Sequence, residues 1–237
     1  YLKANYPVEY LACLLTSVKS NLDKAGVYLN ECRQLGIKVL VPDVNISDLD
    51  FSSIPDPDGG ELNAIAFGLS AVRNVGEGLV HLLLEERTAN GPFTSFMDFC
   101  ERVDYQVLNK RTLESLIKAG AFDSLGHPRK GLLLAFEDII DKTVSARREH
   151  DMGVMTLFGS LSEAEASGPD SFDDRAAIAN LEFDKSQRLA FEKEMLGLYV
   201  SDHPLMGLQG ALERKTEATI ADLEDAEDGQ MVVVGGV

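Results

Sequence analysis

The chain contains no tryptophan, only 7% aromatic residues and only three cysteines among its 237 residues. Cys13, Cys32 and Cys100 are far apart, without a CxxC pair or a histidine at metal-binding spacing, so they predict neither a disulfide framework nor a zinc site. We expect all three to be buried as small hydrophobic residues in a reducing compartment. The sequence has no signal-peptide pattern and no apolar run of membrane-spanning length, so we expect a cytoplasmic protein without a membrane partner.

Basic residues are also scarce, because 22 lysines and arginines stand against 39 aspartates and glutamates, for a net charge of −17. The excess of acidic over basic residues is uneven along the chain. Residues 151–237 hold 6 basic and 18 acidic side chains, whereas residues 70–131 hold 8 of each. The acidic part is unsuited to nucleic acid, while the neutral central segment can still present a basic face. The chain starts without methionine and stops within a β-type run, "QMVVVGGV", so we expect it to be part of a longer protein.

The hydrophobic pattern predicts a mainly α fold. Apolar residues recur at helical spacing in "PVEYLACLLTSVKS" and "NLDKAGVYLNECRQLG", and two strand-like runs, "IKVLVPDV" and "LNAIAFGL", flank a loop, "SSIPDPDGGE". These elements predict a helical segment closed by a small strand pair. From residue 70 to about residue 150 the pattern is entirely helical, with Asn109 as a cap and Gly120 as a stop. Residues 151–180, rich in Gly, Ser, Ala and Asp, predict a linker.

Two glycine-containing turns lie between helices of the central segment. In the first, apolar residues of 69–75 lead into Gly76-Glu77-Gly78, and an apolar helix follows at once. About forty residues later, apolar residues of 116–119 lead into Gly120-Ala121-Phe122. Each turn has the form of a helix-hairpin-helix element, and this interpretation requires that no strand lies within residues 79–119.

Such hairpins suit a phosphate, because their amides and the following helix N-terminus offer unpaired donors and a partial positive charge. We therefore predict contact with the DNA duplex backbone, without sequence readout. Glu77 counts against this unless its carboxylate points away. The residues predicted to contact DNA are Arg73, Val75, Gly76, Glu77, Gly78, Lys110, Arg111, Lys118, Gly120, Ala121 and Phe122.

The sequence contains no recognisable catalytic pattern. It has no P-loop, no Ser-His-Asp order and no paired carboxylates in a strand context suited to two metals. We expect the chain itself to carry no catalytic residue, metal or cofactor. Two alternatives stay open: an acidic protein-interaction module whose hairpins are only structural turns, and a fragment of a helix-hairpin-helix repair protein or nuclease. Salt-dependent duplex binding would distinguish DNA binding from the interaction module.

Longer stretches of the sequence resemble the alpha subunits of bacterial DNA polymerase III, the C-family replicative polymerases. The matching stretches, in the family's order, are "YLKANYPVEYLACLLTSV", "YLNECRQLGIKVLVPDVN", "IAFGLSAVRNVGEG", "NKRTLESLIKAGAFDSLG" and "EKEMLGLYVSDHPL". The resemblance implies that residues 1–68 are the C-terminal part of the fingers domain and residues 69–150 a tandem helix-hairpin-helix domain. It further implies a linker at 151–180, the helical remainder of a clamp-binding domain at 181–228 and the entry strand of a truncated OB fold at 229–237.

The same resemblance implies partners and places the chemistry elsewhere. The polymerase aspartates and their Mg²⁺ belong to a palm domain outside this chain, and the fingers portion makes Lys3 and Lys19 candidates for lying near phosphate. The family carries a clamp-binding peptide of the form Gln-x-x-Leu-Phe, matched here by Val154, Met155, Thr156, Leu157 and Phe158. Val154 replaces the Gln, so we expect weakened docking to the beta sliding clamp, beside contacts with other holoenzyme subunits.

Overall fold

The computed structural model describes residues 1–60, 62–151, 178–202, 214–216, 218 and 230–235. The described residues confirm the mainly α fold. The helices are α1 Leu2–Asn5, α2 Pro7–Ser17, α3 Leu22–Gln34, α4 Glu77–Asn90, α5 Phe96–Arg102, α6 Lys110–Ala119, α7 Arg129–Asp151 and α8 Lys185–Leu196. As predicted, no strand interrupts residues 69–151, all of which have described backbone. None of the described helices is both long and apolar enough to cross a lipid bilayer.

A small mixed sheet packs beside α2. Its strands are β1 Val39–Leu40, β2 Ser52–Ile54 and β3 Ala64–Ala66. Central β3 pairs in parallel with β1 and antiparallel with β2, so that Ile65 lies opposite both Val39 and Ser53. The predicted strand pair is therefore a three-stranded sheet, and β2 corrects the prediction of a loop at its position. Local pattern misses β2 because its stability comes from pairing with β3 rather than from its own residues.

The helix ends follow the local sequence. Asn109 caps α6, since its Oδ1 accepts from the amides of Arg111 at 3.0 Å and Thr112 at 3.3 Å. Gly120 ends the same helix in the left-handed region, at φ 90°. Both boundaries confirm the prediction, because a side-chain cap satisfies first-turn donors and glycine adopts positive φ without a Cβ penalty.

The core of residues 1–200 centres on aromatic side chains carried by α5 and the turn after α6. Phe99, which is completely buried, packs edge-on against Phe93 at 4.9 Å and Phe122 at 5.0 Å between ring centroids. Phe96 adds a further edge contact with Phe122 at 5.1 Å. These edge-to-face arrangements are the favoured geometry for aromatic rings and hold α5 against the α6–α7 connection.

Cysteine burial departs from expectation at one position. Cys32 and Cys100 are buried, and burial raises the pKa of the Cys32 thiol to about 11 and also raises the pKa of the Cys100 thiol. Cys13 is exposed, so the prediction that all three cysteines are buried is wrong for this one. The reason is helical geometry: α2 turns one face, which includes Leu11 and Leu15, into the core, and Cys13 lies on the other.

Residues 201–237 form a second compact unit, separate from residues 1–200. Within it, the described residues 201–202, 214–216, 218 and 230–235 belong to no helix or strand. The strand predicted at residues 229–237 as the entry to an OB fold is thus not confirmed. The domain boundaries predicted after residues 68, 150, 180 and 228 stay predictions.

Candidate nucleic-acid interface

The first hairpin reverses earlier than the sequence predicts. After a 3-10 turn, Leu69–Ala71, the chain bends at residues 73–74, and α4 begins at Glu77 with Gly76 as its N-cap. The predicted turn at residues 76–78 is corrected accordingly, because Glu77 and Gly78 already belong to the helix. Asn74 makes the reversal: its φ is 65°, and among the described residues it is the only non-glycine with positive φ. Asparagine tolerates this conformation, so the turn does not need the glycines.

The two glycines instead leave the N-terminus of α4 open to solvent. A β-carbon built on Gly76 or Gly78 would meet no atom within 4 Å beyond the adjacent residues and the local helix backbone, and neither residue has positive φ. The amides of Leu79 and Val80 donate to Gly76 O at 3.0 and 3.2 Å. Within the described ranges, no oxygen accepts from the amides of residues 77 and 78. This helix end therefore presents bare backbone and unpaired donors.

Asn74 also fixes the first hairpin against α6. Its Nδ2 donates to Ser115 Oγ at 3.0 Å, and Thr112 Oγ1 donates to Asn74 O at 3.1 Å. Both hydroxyls lie on the buried face of α6. Sequence reasoning missed this role, although an asparagine just before a glycine-rich helix start is a signal for left-handed backbone.

Two of the four cations predicted to contact DNA are exposed and available. Arg73 and Arg111 have exposed side chains, and neither forms an ion pair with any residue that the structure describes. The backbone amide of Arg73 donates to Met195 O at 2.9 Å, which fixes the residue at the hairpin while its guanidinium stays in solvent. Arg111 lies in the first turn of α6, the helix that holds Asn74.

The other two cations are engaged within the protein. Lys110 Nζ donates to Glu137 Oε2 at 3.1 Å and to Asp141 Oδ2 at 3.0 Å, and these hydrogen bonds to the two α7 carboxylates raise the pKa of Lys110. Lys118 Nζ lies 2.8 Å from Glu114 Oε1, one helical turn earlier in α6. A phosphate would have to compete with these carboxylates for either ammonium group.

The second predicted turn, Gly120–Phe122, forms as expected but lies inside the protein. All three residues are buried. The amides of Gly120 and Ala121 donate to Ile117 O at 3.0 Å and Leu116 O at 2.9 Å, while Ala121 O accepts from Val44 N at 2.9 Å. The two hairpins therefore differ: the first faces solvent and the second is part of the core.

A buried arginine fills the space beside the second turn. Arg129 Nη2 lies 2.7 Å from Asp123 Oδ2, and its Nη1 lies 3.2 Å from Lys118 O and 3.5 Å from the fully buried Glu192 Oε1. A β-carbon on Gly120 would collide with this guanidinium, and the φ of Gly120 is positive. Gly120 is therefore required by the fold, unlike the glycines of the first hairpin.

Of the remaining predicted residues, Val75 is half-buried and packs against the core, and the others lie in ion pairs or outside the described residues. Lys3 pairs with Glu31, and Lys19 contacts both Asp50 and Glu77. The peptide at 154–158, predicted to bind the clamp, lies outside the described residues. Among the residues that are described, no three His, Cys, Asp or Glu side chains cluster in a way that could hold a metal ion.

Comparison of the sequence with known proteins identifies a motif family and several similar proteins. A model of the helix-hairpin-helix motif matches residues 36–132, which include both turns. DNA polymerase III subunit alpha of Mycobacterium tuberculosis (strain H37Rv) is 45% identical over 239 residues, covering 100% of this chain and 19% of that protein. The subunits of Thermus aquaticus (40% over 228 residues; 95% and 17%) and Pseudomonas aeruginosa (38% over 248 residues; 98% and 20%) are also similar. The chain spans about a fifth of the length of these curated relatives.

Proposed function

The chain is homologous, along its whole length, to one segment of the DNA polymerase III alpha subunits, and from this premise we propose that its first hairpin binds the DNA duplex backbone. The helix-hairpin-helix motif that it contains supports this function. The contact surface we assign consists of the amides at the start of α4 and the guanidinium groups of Arg73 and Arg111. Such a surface holds phosphate by charge and hydrogen bonds and reads no bases.

The observation that carries the proposal is the pair of open glycines. Gly76 and Gly78 serve neither a left-handed turn nor a tight packing contact. Gly78 is moreover within a helix, where glycine costs about 0.5–1 kcal/mol relative to alanine. Gly78 weakens the helix without any local need, and Gly76 leaves the N-cap without a side chain. Both are accounted for if a ligand must approach the backbone closely. The second hairpin we assign to the core, where it supports the first through α6.

The wider function follows from the relatives. We infer that the parent protein is a DNA-directed DNA polymerase that synthesises DNA on a template from deoxynucleoside triphosphates, in the cytoplasm and with other holoenzyme subunits. Its catalytic aspartates and Mg²⁺ are assigned to a palm domain outside this chain. The described residues contribute DNA binding, and the segment at 151–180 is assigned to docking on the sliding clamp.

Replacing the available cations and the open glycine tests DNA binding. Arg73→Gln and Arg111→Gln should each weaken binding of the 237-residue chain to a labelled duplex and lower the slope of log affinity against log salt by about one. Gly78→Ala should weaken binding as well, because its methyl group blocks a phosphate, yet raise thermal stability, because alanine favours the helix. Fluorescence anisotropy over a salt series measures the affinities, and circular dichroism measures the melting temperatures.

Lys118→Gln is the matched control, since it removes the same charge from a lysine that is already paired with Glu114. We expect it to leave the salt slope nearly unchanged. If Arg73→Gln, Arg111→Gln and Gly78→Ala all bind duplex as the unmodified chain does, the hairpins are structural turns only. The acidic interaction module would then be the better interpretation.

Clamp docking through residues 154–158 has its own test. The double variant Leu157→Ala, Phe158→Ala should abolish binding to the beta sliding clamp in calorimetry, since each anchor contributes on the order of 1.5–3 kcal/mol by apolar burial. Val154→Gln should tighten binding several-fold, because a net hydrogen bond contributes about 0.5–1.5 kcal/mol. Thr156→Ala, at one of the unspecified positions of the Gln-x-x-Leu-Phe pattern just before the anchors, serves as the control. Undiminished binding of the double variant would place the docking site elsewhere.

A further inference from the structure

An ion cluster lies directly beside the first hairpin. Lys19 Nζ, just past the end of α2, donates to Asp50 Oδ1 at 2.9 Å, to Ser70 Oγ at 3.1 Å and to Glu77 Oε1 at 2.9 Å. These three partners come from the segment before β2, from the 3-10 turn and from the first residue of α4. The lysine therefore joins three separate parts of the chain at the hairpin.

Glu77 poses a problem for any phosphate at this helix end. A carboxylate in the first turn of a helix is itself stabilised by the positive end of the helix dipole and by the unpaired amides. Glu77 could thus satisfy the same donors that a phosphate needs, and its charge would repel the phosphate. Its position between the two open glycines makes it the competing anion nearest in sequence to those donors.

Lys19 offers Glu77 a different partner. Hydrogen bonds to Asp50 and Glu77 raise the pKa of Lys19, which shows that both carboxylates favour its charged form. Asp50 accepts from the same ammonium, and Ser70 Oγ lies 3.4 Å from Asp50 Oδ1 and completes the cluster. The Lys19 side chain is only 30% exposed, compared with 62% for Glu77, so the better-fixed partner is the lysine.

We propose that Lys19 is a positioning residue, which holds the Glu77 carboxylate beside the helix N-terminus and so keeps the amides of α4 available to a DNA phosphate. This inference rests on the proposed function of the first hairpin. It differs from the simpler idea that Lys19 itself binds phosphate. In the positioning mechanism, the importance of Lys19 depends entirely on the presence of the Glu77 carboxylate.

A double-mutant cycle separates these mechanisms. Lys19→Gln should weaken duplex binding by the 237-residue chain roughly tenfold, because it releases Glu77 toward the amides. Glu77→Gln should bind at least as tightly as the unmodified chain. The decisive result is the double variant: with no carboxylate at residue 77, Lys19→Gln should change affinity less than twofold. Anisotropy titrations at two salt concentrations give all four affinities.

Matched controls remove the effects of net charge and folding. Lys24→Gln removes a positive charge from an exposed lysine of α3, and Glu85→Gln removes a negative charge from an exposed position further along α4. Both should change affinity less than their counterparts at residues 19 and 77. Lys19→Arg, which keeps the charge, should retain binding, and thermal melts identify any variant that fails to fold.

Each outcome has a definite meaning. If Lys19→Gln weakens binding equally with and without the Glu77 carboxylate, Lys19 contacts phosphate itself and the positioning role is overturned, while the proposed DNA-binding function stands. If Lys19→Gln has no effect in either background, the ion cluster is structural and the inference is also overturned. Loss of the proposed function is recognised separately, because the Arg73, Arg111 and Gly78 variants would then bind as the unmodified chain does.

Discussion

Replacing Phe99 with alanine is expected to lower the free energy of unfolding by about 3–5 kcal/mol, the usual cost of truncating a fully buried phenylalanine. The side chain has no exposed area, and its ring meets those of Phe93 and Phe122 at about 5 Å. Its removal would leave a cavity between α5 and the turn after α6, and rigid aromatic neighbours cannot collapse fully into it. Chemical denaturation followed by far-ultraviolet circular dichroism measures the change.

Phe183→Ala provides the matched control. Phe183 is only half-buried, and its ring contacts Phe191 at 4.9 Å at the edge of α8. The same truncation there should cost clearly less, because the partly exposed ring buries less apolar area and its removal leaves no enclosed cavity. Equal destabilisation by the two variants would contradict the placement of the core around α5.

Replacing Arg129 with methionine is expected to destabilise the protein by about 3–5 kcal/mol, because it removes the guanidinium that forms an ion pair with a buried carboxylate. Glu192 is 1% exposed and lies 3.5 Å from the Arg129 guanidinium, whereas Asp123 is partly exposed and can be solvated. Most of the loss should therefore come from Glu192. Thermal and chemical denaturation of the single variant measure it.

The double variant Arg129→Met, Glu192→Met tests this cause. A buried ion pair replaced on both sides by apolar residues often costs little, so the double variant should recover most of the stability lost by Arg129→Met. A double variant no more stable than the single one would show that packing and the Lys118 carbonyl contact, rather than the lost ion pair with Glu192, determine the cost.

The helices could be predicted from the sequence because the residues that begin and end them act locally. Asn109 and Gly120 mark the ends of α6 by side-chain capping and positive φ, which involve only neighbouring residues. β2 was not readable, because a three-residue strand gains its stability from a partner ten or more residues away. The exposure of Cys13 was not predicted for a related reason. Cysteine is a small hydrophobic residue, but this property alone does not determine whether it lies on the face of α2 that packs against the core.

In the candidate site, too, some features follow from the local sequence and others depend on the tertiary structure. The sequence by itself determined the turn at Gly120–Phe122 and the presence of cations near both hairpins, and it placed the first turn a few residues too late. Only the tertiary structure decided that the first turn is open and the second buried, that Arg73 and Arg111 are available, and that Lys110 and Lys118 are paired. The physical reason is that a turn depends on the φ and ψ preferences of a few consecutive residues. Exposure and the ion pairs of Lys110 depend on side chains that α7 and other distant elements bring from far along the chain, whereas Lys118 pairs within its own helix.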